Sequence, residues 1–479
     1  MTQLTIIQQN DTHGYIEPHA EFFWKAGTHE YRQVGGFARI AHVVQEIRKS
    51  TPNVLFVDCG DFLHGTAPAV LTQGSMIIPL LNAMGIDTAV PGNWDFAYGA
   101  DRILKLQEQC AFPITALNVK NKRNDLPIFH PYVIKEYDSL RLGIIGLTYP
   151  YVHVTMPSSF SEGFSFSLGI EELTATIHRL KTEERADLII VASHMGLPLD
   201  VKLASQVGGI DILLSGHSHD RLDRPIIQNG CVIIQSGASA SFLGRLDVTV
   251  EYGKVTNFKH TFLPLYVEDY EEDVEIKAMI EESLLPFRDR LSEPIGAIKT
   301  PLHRMTLQEA PMDRLITDAY LAYTEADVAF SHGWRYGAPV LPGLVTLNDL
   351  YNIIPTNPEL FILEMDGASL LTALERNLEQ VFAADPYQQK GGYLLRSSNL
   401  MMAYKPYNPA GHRIQHLEIK GKPVRDERMY RIAGAGEQLF KNQTSGRSMQ
   451  GVLAHDVLKS YFAQRGEVSI ESKPWIVSI

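Results

Sequence analysis

The stretch Ile212-Leu213-Leu214-Ser215-Gly216-His217-Ser218-His219 runs three aliphatic residues into a glycine and two histidines. A short apolar run bounded by turn formers reads as a strand buried on both faces, as in layered α/β proteins. The same order recurs along the N-terminal half. Leu4–Ile7 leads to Asp11-Thr12-His13-Gly14, Val54–Val57 to Gly60-Asp61, and Leu188–Val191 to Ser193-His194-Met195-Gly196. A fifth polar cluster is Gly92-Asn93-Trp94-Asp95. Between the runs, Ile40, Val43, Val44 and Ile47 keep helical spacing within residues 37–47. Residues 1–267 therefore predict an α/β domain.

A single histidine after a strand is more often a hydrogen-bonded structural residue than a ligand. Five clusters are another matter, because sites in layered α/β folds form at the carboxyl ends of strands. Together the clusters offer Asp11, Asp61, Asn93, His13, His194, His217 and His219. That oxygen and nitrogen set suits manganese, iron or zinc. Alternating pairs such as Asp11/His13 and His217/His219 reach the same side of an extended turn. Neighbouring glycines permit tight turns and close backbone approach.

Near residue 268 the texture changes. Ile276, Met279, Ile280, Leu284, Phe287 and Leu291 have helical spacing, with acidic residues at the start and basic ones at the end. A helix joining two domains and a surface helix within one both account for the pattern; the domain reading takes 268–294 as the linker and 295–479 as a second α/β domain. There Thr346 is placed to cap a helix starting at Leu347, with Asp349 as the capping-box acid. Leu370, Leu371, Leu374, Leu378, Val381 and Phe382 form a further amphipathic face.

With 479 residues, 45% hydrophobic and 20% charged, the chain has the balance of a globular enzyme of two or three domains. Its 43 basic and 55 acidic residues leave a charge of -12, which disfavours a nucleic-acid polymer as partner. An anionic substrate then calls for a local patch or metal ions. The charge-free stretch over residues 69–86 is broken by Thr72, Gln73, Gly74, Ser75, Pro79 and Asn82 and fails as a membrane span, so no membrane association is expected. Three scattered cysteines (Cys59, Cys110, Cys231) and no visible export signal give a cytoplasmic expectation.

The ordered set of DxH, GD, GN, SHxG and GHxH, followed by a second α/β domain, resembles the 5'-nucleotidase branch of the calcineurin-like metallophosphoesterases. The resemblance implies a four-layer α/β/β/α catalytic domain with a C-terminal 5'-nucleotidase-type substrate-binding domain. It implies two divalent ions, manganese favoured over iron or zinc. One would take Asp11, His13, Asp61 and His219; the other Asp61, Asn93, His194 and His217, with Asp61 bridging. Two such ions about 3.5–4 Å apart clamp an anionic ester and activate a water. Asp58 reads as a supporting or turn residue rather than a ligand.

The chain departs from that family at Trp94, where the phosphatases carry a histidine, and at Ala97, where an orienting aspartate is usual. Trp94 offers an indole N–H and an apolar face, or simply fills space. Ordinary general-acid help is worth roughly 10²–10⁴ in rate, so poor leaving groups should suffer. The GNW form resembles the SoxB-type thiosulfohydrolases, as do Asp385-Pro386-Tyr387-Gln388-Gln389-Lys390-Gly391-Gly392 and His332-Gly333-Trp334-Arg335-Tyr336-Gly337. Loss of a proton donor costs less for a thiolate-type leaving group.

Candidate catalytic residues are thus Asp61, Asn93 and Trp94. Candidate substrate contacts are Arg335, whose guanidinium suits a phosphate or sulfate, with Trp334, His332 and Arg304. His303, beside Arg304, is a looser match. Phe440 either stacks on a base or packs in the core. The resulting expectation is a phosphomonoesterase of the 5'-nucleotidase kind acting in nucleotide catabolism. Its alternatives are a SoxB-like thiosulfohydrolase and a metal-retaining binding protein without turnover.

Overall fold

A computed structural model describes residues 1–138, 140–307, 310–392, 394–443, 445–471 and 475–479 of the chain. Two compact units are present. One comprises Met1–Glu21 and Arg32–Pro286, the other Phe22–Tyr31 and Phe287–Ile479.

The first unit is built on two sheets. One has five strands in the order Lys254–Pro264, Phe242–Glu251, Thr2–Gln9, Val54–Asp58, Thr88–Ala89. The other has six, in the order Ile226–Gln228, Cys231–Ile234, Ile212–Ser215, Leu188–Ser193, Leu140–Leu147, Tyr132–Tyr137. Alternation along each strand sends Leu4, Ile6, Leu55 and Val57 of one sheet into the same apolar cluster as Ile144, Ile190, Leu214 and Ile234 of the other. The alternate residues Ile7, Phe56, Ile189, Val191 and Leu213 are buried as well. Helices cover those outer faces: Phe37–Ser50 lies against Val54–Asp58, and Leu197–Gln206 against Ile212–Ser215. The four-layer α/β/β/α order results, and it explains why the central strands are aliphatic throughout. Each fully buried aliphatic side chain contributes about 1.5–3 kcal/mol.

Parallel pairing sets where the polar loops emerge. Thr2–Gln9 and Val54–Asp58 run parallel and end together at Gln9 and Asp58. Leu188–Ser193 and Ile212–Ser215 do the same at Ser193 and Ser215. Each sheet therefore delivers two polar loops from one edge.

In the second unit a five-stranded sheet has the order Arg396–Ser398, Val328–Ser331, Met429–Ala435, Glu359–Asp366, Arg447–Leu453. Helix Pro311–Thr324 packs on it, and helix Gly367–Phe382 buries Leu370, Leu374 and Leu378. Thr346 and Asp349 form the capping box that their spacing predicts. Helix Val274–Leu291 contains Pro286, after which the two units divide. No described helix is long and apolar enough to cross a membrane.

Candidate metal centre

The loops at the four parallel strand ends, joined by the Gly92–Asp95 turn, bring the seven candidate ligands together. Asp11, His13, Asp61, His217 and His219 all have left-handed backbone, with φ of 52°, 48°, 58°, 70° and 62°. Aspartate and histidine tolerate that region better than most residues. Such conformations cost on the order of 1–3 kcal/mol each and persist only where the surroundings fix them. Here main-chain bonds do so: Asp11 N donates to Gly60 O at 2.8 Å and His13 N to Asp61 O at 2.8 Å. Glycine is required where loops touch, since a Cβ on Gly92 would lie 2.1 Å from Asp61 Oδ1.

Two groups of potential ligand atoms result, Asp11/His13/His219 and Asp61/His194/His217. In the first, His219 Nε2 is 3.1 Å from Asp11 Oδ1 and 3.2 Å from His13 Nε2. In the second, His194 Nε2 is 3.3 Å from Asp61 Oδ2, and His217 Nδ1 is 2.8 Å from Asn93 Oδ1. Asp61 Oδ2 also lies 3.9 Å from His13 Nε2, so one carboxylate oxygen faces both groups. Its other oxygen accepts the Trp94 main-chain N–H at 2.7 Å. Ring orientation is fixed from behind: His194 Nδ1 meets Cys59 O at 2.6 Å, His13 Nδ1 meets His64 O at 3.1 Å, and His217 stacks on Tyr149 at 4.1 Å.

The donor set fits divalent cations. Asp11 Oδ1 and His194 Nε2 are buried without a hydrogen-bond partner, facing His219 Nε2 at 3.1 Å and Asp61 Oδ2 at 3.3 Å respectively, an arrangement that a shared proton or a divalent cation stabilises. Burial works against the charge on Asp11, yet the imidazoles of His219, His194 and His13 hold its carboxyl well below the usual range. Burial likewise opposes a charge on His194, but Asp61 and Asp11 push it up to about 10. His13, dominated by burial, is pushed down to about 4.

Three buried carboxylates support the loops, and of these the sequence suggests a role only for Asp58. Asp95 accepts main-chain N–H groups from Asp61 (2.9 Å), Phe62 (3.0 Å), Leu63 (2.8 Å) and Gly92 (2.7 Å). Asp200 accepts the hydroxyls of Ser193 and Ser215, both at 2.6 Å, and so ties two parallel strand ends. Asp58 accepts from Gln9 Nε2 at 2.6 Å and Gly60 N at 2.9 Å, in keeping with a supporting role. Asp95 ends one of the five polar clusters, but nothing in its spacing announces four backbone partners. His64, which stacks on Trp94 at 4.7 Å, carries no sequence signal at all.

The substrate-contact candidates all belong to the second unit, and they separate. His332, Trp334 and Tyr336 stack in succession, at 5.4 Å and 5.7 Å, and the buried His332 Nε2 and Trp334 Nε1 make no hydrogen bond. Burial pushes His332 down to about 4. Arg335 is half-buried beside them. Arg304, expected to meet substrate, is instead an internal brace. It is 1% exposed, with Nε on Asp313 Oδ2 (3.0 Å), Nη1 on Tyr336 O (3.1 Å) and Nη2 on Ile353 O (2.6 Å). A guanidinium held by an internal carboxylate and two carbonyls is spent on folding. His303 packs against Phe22 at 5.2 Å. Phe440 meets Phe330 edge-on at 5.2 Å at the margin of the apolar core, the packing alternative of its two readings.

Comparison with known proteins agrees with this architecture. Residues 4–221 match the calcineurin-like phosphoesterase family, and residues 294–446 the 5'-nucleotidase C-terminal domain. The trifunctional nucleotide phosphoesterase YfkN of Bacillus subtilis is 23% identical over 97% of this chain, which spans only 34% of that protein's length. The 5'-nucleotidase of Bos taurus is 25% identical, covering 92% of this chain and 85% of its own. Among solved structures, the sulfate thiohydrolase SoxB of Thermus thermophilus superposes with a TM-score of 0.92 at 26% identity, covering 99% of this chain and 96% of its own. A 5'-nucleotidase precursor, also from Thermus thermophilus, shares the fold, with a TM-score of 0.89 at 23% identity over 100% and 99% of the two chains. With both segments matched in order, the chain belongs to the calcineurin-like phosphoesterases that carry a 5'-nucleotidase C-terminal domain, a family of metal-dependent hydrolases.

Proposed function

We propose that the chain hydrolyses small anionic phosphomonoesters, nucleoside monophosphates foremost, at a pair of divalent ions. The observation that carries this reading is Asp61 Oδ2, which faces His194 Nε2 at 3.3 Å and His13 Nε2 at 3.9 Å. Asp11, His13, Asp61 and His219 would hold one ion, and Asp61, Asn93, His194 and His217 the other, with manganese the first choice. Bound there, such a pair lowers the pKa of a coordinated water and neutralises charge on the ester oxygens. The protein's part is positional: buried carboxylates fix the loops, and main-chain groups fix the ring tautomers. Arg335 would bind the substrate's anionic oxygens, with Trp334 and His332 beside it. The acidic chain and its free thiols Cys59, Cys110 and Cys231 favour a small substrate met in a reducing compartment, the cytoplasm.

A second reading has its own support. Trp94 replaces a proton donor, and the likeness to SoxB extends over 99% of this chain. Hydrolysis of a thiosulfonate, whose leaving group needs little protonation, would suit a tryptophan there. One panel decides: metal-stripped protein reloaded with manganese, then offered p-nitrophenyl phosphate, adenosine monophosphate and cysteine S-sulfonate. Turnover of the two phosphates supports the first reading, turnover of the S-sulfonate alone the second. Inactivity on all three, with metal bound, would leave the chain a metal-retaining binding protein.

A further inference from the structure

His64 and Trp94 stand on different loops, one following strand Val54–Asp58 and the other in the Gly92–Asp95 turn. Their rings lie face to face, 4.7 Å between centroids and 15° between planes, and both are buried. Each also uses its main chain to aim one candidate ligand. His64 O engages Nδ1 of His13 at 3.1 Å, which turns Nε2 toward the centre. Trp94 N engages Oδ1 of Asp61 at 2.7 Å, which leaves Oδ2 for the centre. The two atoms so presented are the 3.9 Å pair between the ligand groups.

The loop around His64 is shaped for this contact. Gly65 lets it lie against His13, since a Cβ there would be 2.6 Å from His13 O. Tyr98 pins the preceding residue, its hydroxyl donating to Leu63 O at 3.2 Å. Nδ1 of His64 is buried without a hydrogen bond, so the flat face of the ring, rather than that nitrogen, makes the contact with Trp94.

We infer that the His64–Trp94 stack is a positioning element: it locks two loops together and thereby sets the spacing of His13 and Asp61 for metal binding. Resting as it does on the metal-centre reading, this role makes His64 a positioning residue and not a proton donor. It also gives Trp94 a task unrelated to leaving-group chemistry. Groups that orient metal ligands from behind change metal affinity by about 10–100-fold when removed.

The test is calorimetric titration of manganese(II) into the metal-stripped full chain. His64→Ala should weaken binding by about 10–100-fold, and His64→Phe, which keeps a flat ring but no nitrogen, should recover most of that loss. If His64→Ala does not fold, His64→Leu, of similar bulk but unable to stack, takes its place. Wild-type affinity in the Ala or Leu variant would overturn the proposal, as would a Phe variant as weak as either. Failure of the wild-type chain to bind manganese would instead overturn the metal centre itself, and this role with it.

Discussion

His13 Nε2 and His219 Nε2 face each other across 3.2 Å, although one residue follows strand Thr2–Gln9 and the other strand Ile212–Ser215 of the opposing sheet. Two imidazole nitrogens at that distance share a proton or a cation, and Asp11 Oδ1, 3.1 Å from His219, supplies the balancing charge. His219→Ala should therefore remove one ion. Metal analysis of the purified variant should fall from about two to about one divalent ion per chain on the two-metal scheme. Unchanged stoichiometry would separate His219 from the centre.

Asp61 Oδ2 stands between ligand nitrogens of the two groups, 3.3 Å from His194 Nε2 and 3.9 Å from His13 Nε2. Asp61→Asn keeps its shape and its contact with Trp94 N but halves the oxygen donors. A loss in kcat on p-nitrophenyl phosphate at or beyond the roughly 10–100-fold that follows removal of a group merely supporting a metal ligand is expected. A variant with near wild-type kcat would exclude Asp61 as the bridge.

Trp94→His places an imidazole, a stronger proton donor than an indole, in the Gly92–Asp95 turn. General-acid help ranges over about 10²–10⁴, and the low end is expected because Ala97 gives the new imidazole no orienting carboxylate. The gain should appear on adenosine monophosphate and be absent on p-nitrophenyl phosphate, whose leaving group needs no proton. Equal or lower rates on both would assign Trp94 to the stack with His64 alone.

Arg304 and Asp313 form a buried ion pair at 3.0 Å, with side chains 1% and 0% exposed. Arg304→Met leaves the carboxylate buried and uncompensated, a change worth about 3–5 kcal/mol. Denaturant unfolding should show that loss. If the variant keeps its stability but its KM rises alone, Arg304 binds substrate after all.

Asp200 supplies the pH-dependent case. Burial, partly offset by the Ser193 and Ser215 hydroxyls, pushes its carboxyl up to about 7. The folded state therefore holds a proton that the unfolded chain has released above its ordinary carboxylate range. Its contribution is fully present below about pH 4 and is lost as pH rises through about 7. That slope amounts to roughly 1 kcal/mol per pH unit. Asp200→Asn, which can still bond both serines, should flatten this part of the profile and be relatively more stable at pH 8 than at pH 5. Urea midpoints of the two proteins at those pH values check it; parallel profiles would sink the assignment.

Much of the catalytic unit was legible along the chain. Strands buried on both faces leave uninterrupted aliphatic runs, and left-handed loops at strand ends select glycine, aspartate and histidine, so Asp11, Asp61 and His217 advertise themselves. The supporting groups do not. Asp95 is one acid among many until its loop closes on four N–H groups. Arg304 reads alike whether it meets substrate or braces the interior, because burial is a property of the surroundings and not of the residue.

Local chemistry, then, was enough to name the candidate donors, since a residue's ligand atoms and turn preference travel with it. Which oxygen of Asp61 looks inward, which nitrogen of His13 is left for a cation, and that His64 lies flat on Trp94 were settled by the packing of separate loops. Those distances depend on contacts between residues remote in the chain, and no spacing rule encodes them.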